Sequence, residues 1–557
     1  MHHWIRRCLA LGAIVLLLCQ PAWGKTLTVT TLNGSGSGSL RRAIELATSG
    51  DTIQFSVAGT ITLLRDTLVI DKDLTIVGPG PDQLAISGLG ERRVFEVRPG
   101  VTAVLGGLAV INGAAENGGG ILNEGALTLQ DVKVADNVAH RDGGGIFNSQ
   151  GTLVLIRTQV SHNAAVEENS SGGGIVNFEG ILELRDNSVV SNNSARRNGG
   201  GIDSVRGDLS IFDSVLSGNA AGKEGGAIVV VGDLSVIGST IADNTAENGA
   251  GIANQGLRPA VISDTRFTGN QALGIGGGYF NNANGPLLLS GVTFSGNSAT
   301  MGKGGGLANI VGDVEIDHGA FSDNTAIQGG GIYNEAVLVV AATLFEGNQA
   351  EDGGALRSLG NAIIADSTFT GNAATHGAGI ANVGFGSMQL RDTVIRQNVA
   401  AGNGGGIANL GDGRMDIGNV QVLDNEAASG GGIWNLRTLT ISASTISGNT
   451  ASNGGGGILN GDSGTLSLKG SVVADNTAAK DGGGIWNDGS LSIQDSEISN
   501  NTTVEGIFGG GGGIWNAFTG TLTLIGTSCQ ANVAGNSNAD VYNNGGTVNN
   551  LSQCRVH

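Results

Sequence analysis

The chain has 557 residues, with Gly at 99 positions, Pro at only 6, aromatic residues at 4% and a formal net charge of -19. Glycine without a three-residue period, beside scarce proline, excludes collagen, and 40% apolar residues laid out in short alternating runs exclude simple disorder. The acidic balance argues against nucleic acid and anionic lipid as partners, and a diffuse acidic surface names no metal site.

Residues 1–24 read as a secretory signal, with Arg6 and Arg7 as the basic start, Leu9 to Cys19 as the apolar centre and Ala22-Trp23-Gly24 as a small-residue exit. Leu18 stands before Cys19 where a lipidation site wants a small residue, which argues against a lipoprotein. No later stretch is apolar for long enough to span a bilayer. The expected destination is secreted, extracellular or cell-surface, with the periplasm as the other oxidising compartment.

Residues 25–113 read as an N-terminal cap and irregular first rungs. Leu27 to Thr30 alternates as a strand, Asn33 to Gly38 reads as a flexible linker, and Ser39 caps a short helix to about Thr48 with Leu40, Ala43, Ile44 and Ala47 on one side. Gly38-Ser39-Leu40-Arg41-Arg42-Ala43-Ile44 resembles the CSLREA-type segment that precedes many bacterial β-helix proteins, with Gly38 for its Cys and Arg42 for its Glu. Short strands then follow at Thr60 to Leu63, Leu68 to Ile70, Leu74 to Ile76, Leu84 to Ile86 and Val94 to Val97.

Over residues 114–528 one phrase, Gly-Gly-Gly-Ile-x-Asn, recurs in 16 copies whose apolar marker steps from Ile121 to Ile514 at intervals of 24 to 29 residues. Each period holds three short strands and no helical pattern, as in Ile121 to Asn123, Leu127 to Leu129 and Val132 to Val134. That pattern predicts an all-β, right-handed parallel β-helix of about 16 regular three-strand rungs, its hand following the chirality of parallel crossovers. The marker and the Asn two positions later share one face of the strand, so both point inward. The Asn column is Asn123, Asn148, Asn177, Asn254, Asn281, Asn309, Asn334, Asn382, Asn409, Asn435, Asn460, Asn487 and Asn516, with Ser204, Val230 and Ser358 as exceptions. Stacked amides form an internal hydrogen-bonded ladder, which answers the cost of burying them.

The third strand carries an apolar residue, two variable positions and Asn, as in Phe267 to Asn270 and Phe369 to Asn372. Gly-Gly-Gly-Ile together with Phe-x-x-Asn resembles the repeats of polymorphic outer-membrane proteins, over about residues 118–532. The resemblance implies a β-helical surface or secreted passenger with a role in adhesion. The closing membrane barrel of that family has no counterpart here, so its route to the surface does not carry over. Residues 529–557 read as a last coil and cap. Cys529 takes the Phe place of the third strand and Cys554 lies 25 residues on, about one rung, which predicts a disulfide between neighbouring coils.

Alternation turns x, the position between marker and Asn, outward, so any chemistry of the repeated strand would sit there. Asp203 and Arg357 both occupy x but sit six rungs apart, His140, His162, His318 and His376 hold different places in their rungs, and no catalytic set emerges. Asp131, Asp213, Asp264 and their equivalents after the second strand read as turn formers. Gly411 to Asp416 lacks the alternating ligands of a calcium loop, so neither metal nor other cofactor is expected. Tyr333, Trp434, Trp486 and Trp515 share x, with Phe147 and Phe280 upstream. Flat rings at whole-rung spacing either stack on sugar or protein, or are buried beneath glycine-rich loops. The expected function is a secreted or cell-surface, monomeric scaffold that binds a carbohydrate or a surface protein. The alternative is a polysaccharide lyase or glycoside hydrolase on the same fold.

Overall fold

Alternating apolar residues give strands with one buried face, and the repeat length brings each strand beside its copy one turn later. In the computed structural model, which describes residues 24–505, 510–535, 537–538 and 540–557, these strands wind into a right-handed parallel β-helix of about 20 turns. The export signal assigned to 1–24 lies outside the described residues except for Gly24. Register is in phase: Ile121 pairs with Ile146 and Asn123 with Asn148 in the marker sheet, Leu127 with Leu153 in the second, Val134 with Val160 in the third. Leu127 and Leu129 are buried while Thr128 between them stays partly exposed, as period-2 patterning requires.

Most regular rungs add to the expected three strands a fourth, usually two residues long, such as Val138–Ala139 and Ala164–Ala165, and the rung after Asn348 has isolated bridges at Gln349 and Asp352 in its place. It begins directly after the Asn that closes the third strand, and its Ala is buried in most rungs, including Ala139, Ala165, Ala272 and Ala478. This strand explains the glycine run. At Gly430-Gly431-Gly432 the first glycine has φ +60°, a Cβ on the second would lie 2.4 Å from the Thr450 carbonyl of a fourth strand, and one on the third would lie 2.7 Å from the Gly457 carbonyl and 3.0 Å from the Asn449 amide carbon.

The interior is one continuous core of stacked like residues. Phe267, Phe294, Phe321, Phe345 and Phe369 stack with ring centroids 4.4 to 5.2 Å apart and planes within 13°. After the second strand, Asp131, Asp213, Asp264, Asp366, Asp392 and Asp495 have positive φ, so these turn residues sit in the left-handed region that Asp tolerates.

At the N-terminal end Thr26–Val29 pairs with Asp51–Phe55, and the helix Leu40–Leu46 sets Leu40, Ala43 and Ile44 into the core. It stops before the expected Thr48, and Ser39 caps it by accepting from the Arg42 N–H. The glycine-rich stretch before it is closed as a turn, with the Thr30 N–H donating to the Gly38 carbonyl (2.9 Å). At the other end Cys529 and Cys554 are disulfide-bonded, with Cα atoms 4.8 Å apart. The tail they fix lies along the last marker strand, where the Asn543 N–H donates to the His557 carbonyl (3.0 Å).

Candidate functional site

Pairing stacks the x residues into one column, with Ala308, Tyr333 and Arg357 on successive rungs and Trp434, Leu459, Trp486 and Trp515 further along. The column points away from the interior, yet much of it is covered rather than facing solvent. Val176, Val229, Ala253, Phe280, Ala308, Ala381 and Ala408 are all buried. The cause is the stretch between the third strand and the glycine run, whose last residue packs on x at Ile275, Lys303 and Asp352. Ile275, in that position, joins Val229, Ala253, Phe280 and Ala308 in a small core outside the main one.

Where the covering residues are polar, they gather ionisable groups. Tyr333 is 1% exposed because Lys303, which precedes a glycine run, lays its ammonium 4.6 Å from the ring centroid. The Lys303 ammonium donates to Glu335 (3.0 Å) and the Tyr333 hydroxyl donates to the same carboxylate (2.6 Å). Burial raises the Tyr333 pKa, and its bond to Glu335 adds to the rise. Burial alone would raise Glu335, but the Tyr333 and Lys303 donors outweigh it and leave that carboxyl below its usual range. One rung on, Arg357 donates from Nη1 to Asp352 (2.7 Å), while its buried Nε has no partner. His376 continues the covering column next to Asp352, and its ring centroid lies 5.7 Å from that of Trp434.

Asp203 and Arg357 do not meet, as their six-rung separation required, yet each has companions that reading x alone overlooked. Asp203 is buried and its pKa is pushed up to about 6, chiefly by loss of water, with the Asp142 and Glu224 charges adding and Ser171 and Arg197 opposing. Lys303, Asp352, His376, Asp142 and Glu224 all stand immediately before glycine runs. That fixed offset was the available signal.

Of the aromatic column, Trp434, Trp486 and Trp515 remain partly exposed. The Trp486 and Trp515 rings meet edge to face with centroids 4.5 Å apart. Trp486 lies directly on Gly454, where an added Cβ would come 1.8 Å from the indole, and its Nε1 donates to Asp488 (2.9 Å). Burial raises the pKa of both Asp488 and Asp481.

The inward Asn column is hydrogen-bonded along the axis. Asn123 donates to Asn148 (2.7 Å) and Asn148 to Asn177 (2.7 Å); Asn281 leads through Asn309 and Asn334 to Ser358; and Asn382 leads through Asn409, Asn435, Asn460 and Asn487 to Asn516 and on to Asn543. Val230 interrupts it, and the Asn254 amide nitrogen has no partner. A second ladder, formed by the Asn of Phe-x-x-Asn, runs unbroken from Asn137 to Asn532.

No protein-family model matches the chain, and no curated protein matches it. Among solved structures it is similar to a mannuronic acid specific polysaccharide family 6 lyase from human gut microbiota, at 9% identity and a TM-score of 0.26, over 90% of this chain and 87% of that one. A family 6 alginate lyase matches at 12% identity and a TM-score of 0.26, over 94% of this chain and 100% of that one. The A-module of a mannuronan C-5 epimerase from Azotobacter vinelandii matches at 12% identity and a TM-score of 0.16, over 93% of this chain and 97% of that one. At such scores neither substrate nor chemistry passes from those proteins to this chain.

Proposed function

We propose that the chain is a secreted or cell-surface β-helix scaffold that binds an extended glycan along the outward column ending in Trp434, Trp486 and Trp515. The observation that carries this reading is the partial exposure of three indoles at whole-rung spacing on one rigid face, two of them in contact. Indoles in that state offer flat apolar area to sugar rings at little ordering cost. The Cys529–Cys554 bond supports an oxidising compartment. The repeats' resemblance to polymorphic outer-membrane proteins supports a surface role.

Binding of the mature chain to a glycan array, repeated with Trp486→Ala and Trp515→Ala, tests the reading. Selective retention by the wild type and about tenfold loss in either variant is the expected result. Retention unaffected by both substitutions would remove it.

A second reading, a polysaccharide lyase or glycoside hydrolase, is favoured by one observation: Lys303 with Glu335 and Arg357 with Asp352 place two partly exposed carboxylates and their cation partners on adjoining rungs. Release of reducing ends or unsaturated products from a bound glycan, lost in Glu335→Gln, would replace binding with turnover.

A further inference from the structure

The chain carries ten Asn-Gly pairs, and the fold does not treat them alike. Such a pair is reactive, because attack of the glycine nitrogen on the Asn side-chain amide carbon closes a five-membered ring and no side chain on glycine stands in the way. A glycine N–H that donates to an acceptor is held from that attack, since freeing it costs a hydrogen bond.

Six of the ten are held in this way. Gly118, Gly199, Gly249 and Gly404, each opening a repeat motif, donate to the carbonyls of Asp142, Glu224, Ile275 and Ser429 at 2.8 to 3.0 Å. Gly113 donates to the Asn137 side chain (2.7 Å) and Gly461 to the Asn435 carbonyl (2.9 Å). Three more are packed away: Gly454 lies under the Trp486 indole, Gly285 is buried against the Arg258 carbonyl, and Gly34 is half-buried against the Thr62 carbonyl. Asn544-Gly545 is the exception. It forms the corner between the last marker strand, Val541–Asn543, and Thr547–Leu551, and both of its residues are exposed. The Asn544 backbone N–H donates to the Asn516 carbonyl (2.8 Å), while its side chain and the Gly545 N–H have no partner among the described residues.

We propose that Asn544 is a site of spontaneous deamidation that alters the last coil of the rod. The Gly545 nitrogen gives up its proton and bonds to Cγ of Asn544; the Cγ–Nδ2 bond breaks, and ammonia leaves with that proton. Water then opens the resulting succinimide. Opening at Cγ restores the peptide bond and leaves an aspartate, while opening at the backbone carbonyl leaves an isoaspartyl linkage, with the chain running through the side chain and one methylene longer. Either product adds a negative charge to an already acidic chain. The longer linkage also strikes the end of the inward asparagine ladder, where Asn543 accepts from Asn516 (2.8 Å) and donates to the Gly546 carbonyl (2.9 Å) just across the new bond.

The test is peptide mapping by mass spectrometry after the mature chain is held in mildly alkaline heavy-oxygen water, once folded and once in concentrated urea. In the folded chain the Asn544 peptide is expected to take up heavy oxygen about tenfold faster than the Asn198 and Asn403 peptides, whose glycines must first leave their hydrogen bonds. In urea the same peptides should convert at similar rates, because the sequence pair is identical. A second chromatographic peak of the same mass is expected for the isoaspartyl form. Equal rates at Asn544, Asn198 and Asn403 in the folded chain, or no label at Asn544, would overturn the site. The same rate ratio in urea would overturn the fold as its cause, and a single aspartyl peak would overturn the longer linkage.

Discussion

A carboxylate under the covering turn has to give up its water, and Asp203 does so next to Asp142 and Glu224 with Arg197 as the opposing charge. Its pKa of about 6 in the folded chain lies above the ordinary 3.8. Below the ordinary value both folded and unfolded chains hold the proton and nothing is lost. As pH rises through the window from there to about 6, the unfolded chain releases the proton first, so stability falls, and above the window the full cost remains. Asp203→Asn should therefore stabilise the protein at pH 7, by about 3 kcal/mol at most, and leave it unchanged near pH 3.5. Denaturant midpoints measured at both values check this, and an equal shift at both would contradict it. Asp203 was visible in the sequence as an oddity at x, and burial of x beneath a glycine-rich loop was one of two open readings, but nothing in Gly-Gly-Gly-Ile-x-Asn says in which rungs the loop covers it. The same blindness hid Lys303 and His376, whose common offset from the glycines has meaning only once the turn's path is known.

Strand by strand, the two asparagine ladders differ in how fully each amide is used. Asn348 donates to Asn372 (3.0 Å) and to the Phe321 carbonyl (2.8 Å), and accepts from both the side-chain amide (2.9 Å) and the backbone N–H (3.1 Å) of Asn324. Asn334 donates to Ser358 (3.1 Å), to the Ala336 carbonyl (3.0 Å) and, at a long 3.5 Å, to the Asn361 carbonyl, and accepts from Asn309 (2.8 Å). Each orphaned buried group costs on the order of 1 to 3 kcal/mol, so Asn348→Ala should cost about 4 kcal/mol and Asn334→Ala about 2 kcal/mol. Equal unfolding shifts in the two variants would refute the ranking. The ladder at Asn334 could be read from the glycine motif because it shares a face with the marker Ile. The ladder at Asn348 was legible only as the end of a strand, since it lies at a corner where period-2 reasoning stops. The fourth strand was written too, as the Ala two residues after that Asn in Asn137-Val-Ala139 and Asn476-Thr-Ala478. A two-residue strand is too short for alternation to reveal.

Across the whole molecule, each turn touches mainly the turns before and after it, so stability is close to a sum of local terms and damage at one end stays there. A rod of about 20 turns spans roughly 90 Å at the usual inter-strand spacing. Its N-terminal end is closed by the Leu40–Leu46 helix, while the terminal tail is tied by Cys529–Cys554 across a 25-residue separation. Closing a loop of that length stabilises by about 3 kcal/mol, a large share of what one terminal turn has available. Cys554→Ser should accordingly raise hydrogen exchange over Val541–Asn543 and Thr547–Leu551 while leaving strands such as Ala126–Gln130 protected. The tail lies one turn beyond Trp515, whose partner in the last coil is Tyr542. Fraying should therefore also redden the tryptophan emission of the Trp486–Trp515 pair before any loss of the circular dichroism of the rod. Uniform loss of protection along the chain would mean that the turns are far more strongly coupled than their neighbour-only contacts imply.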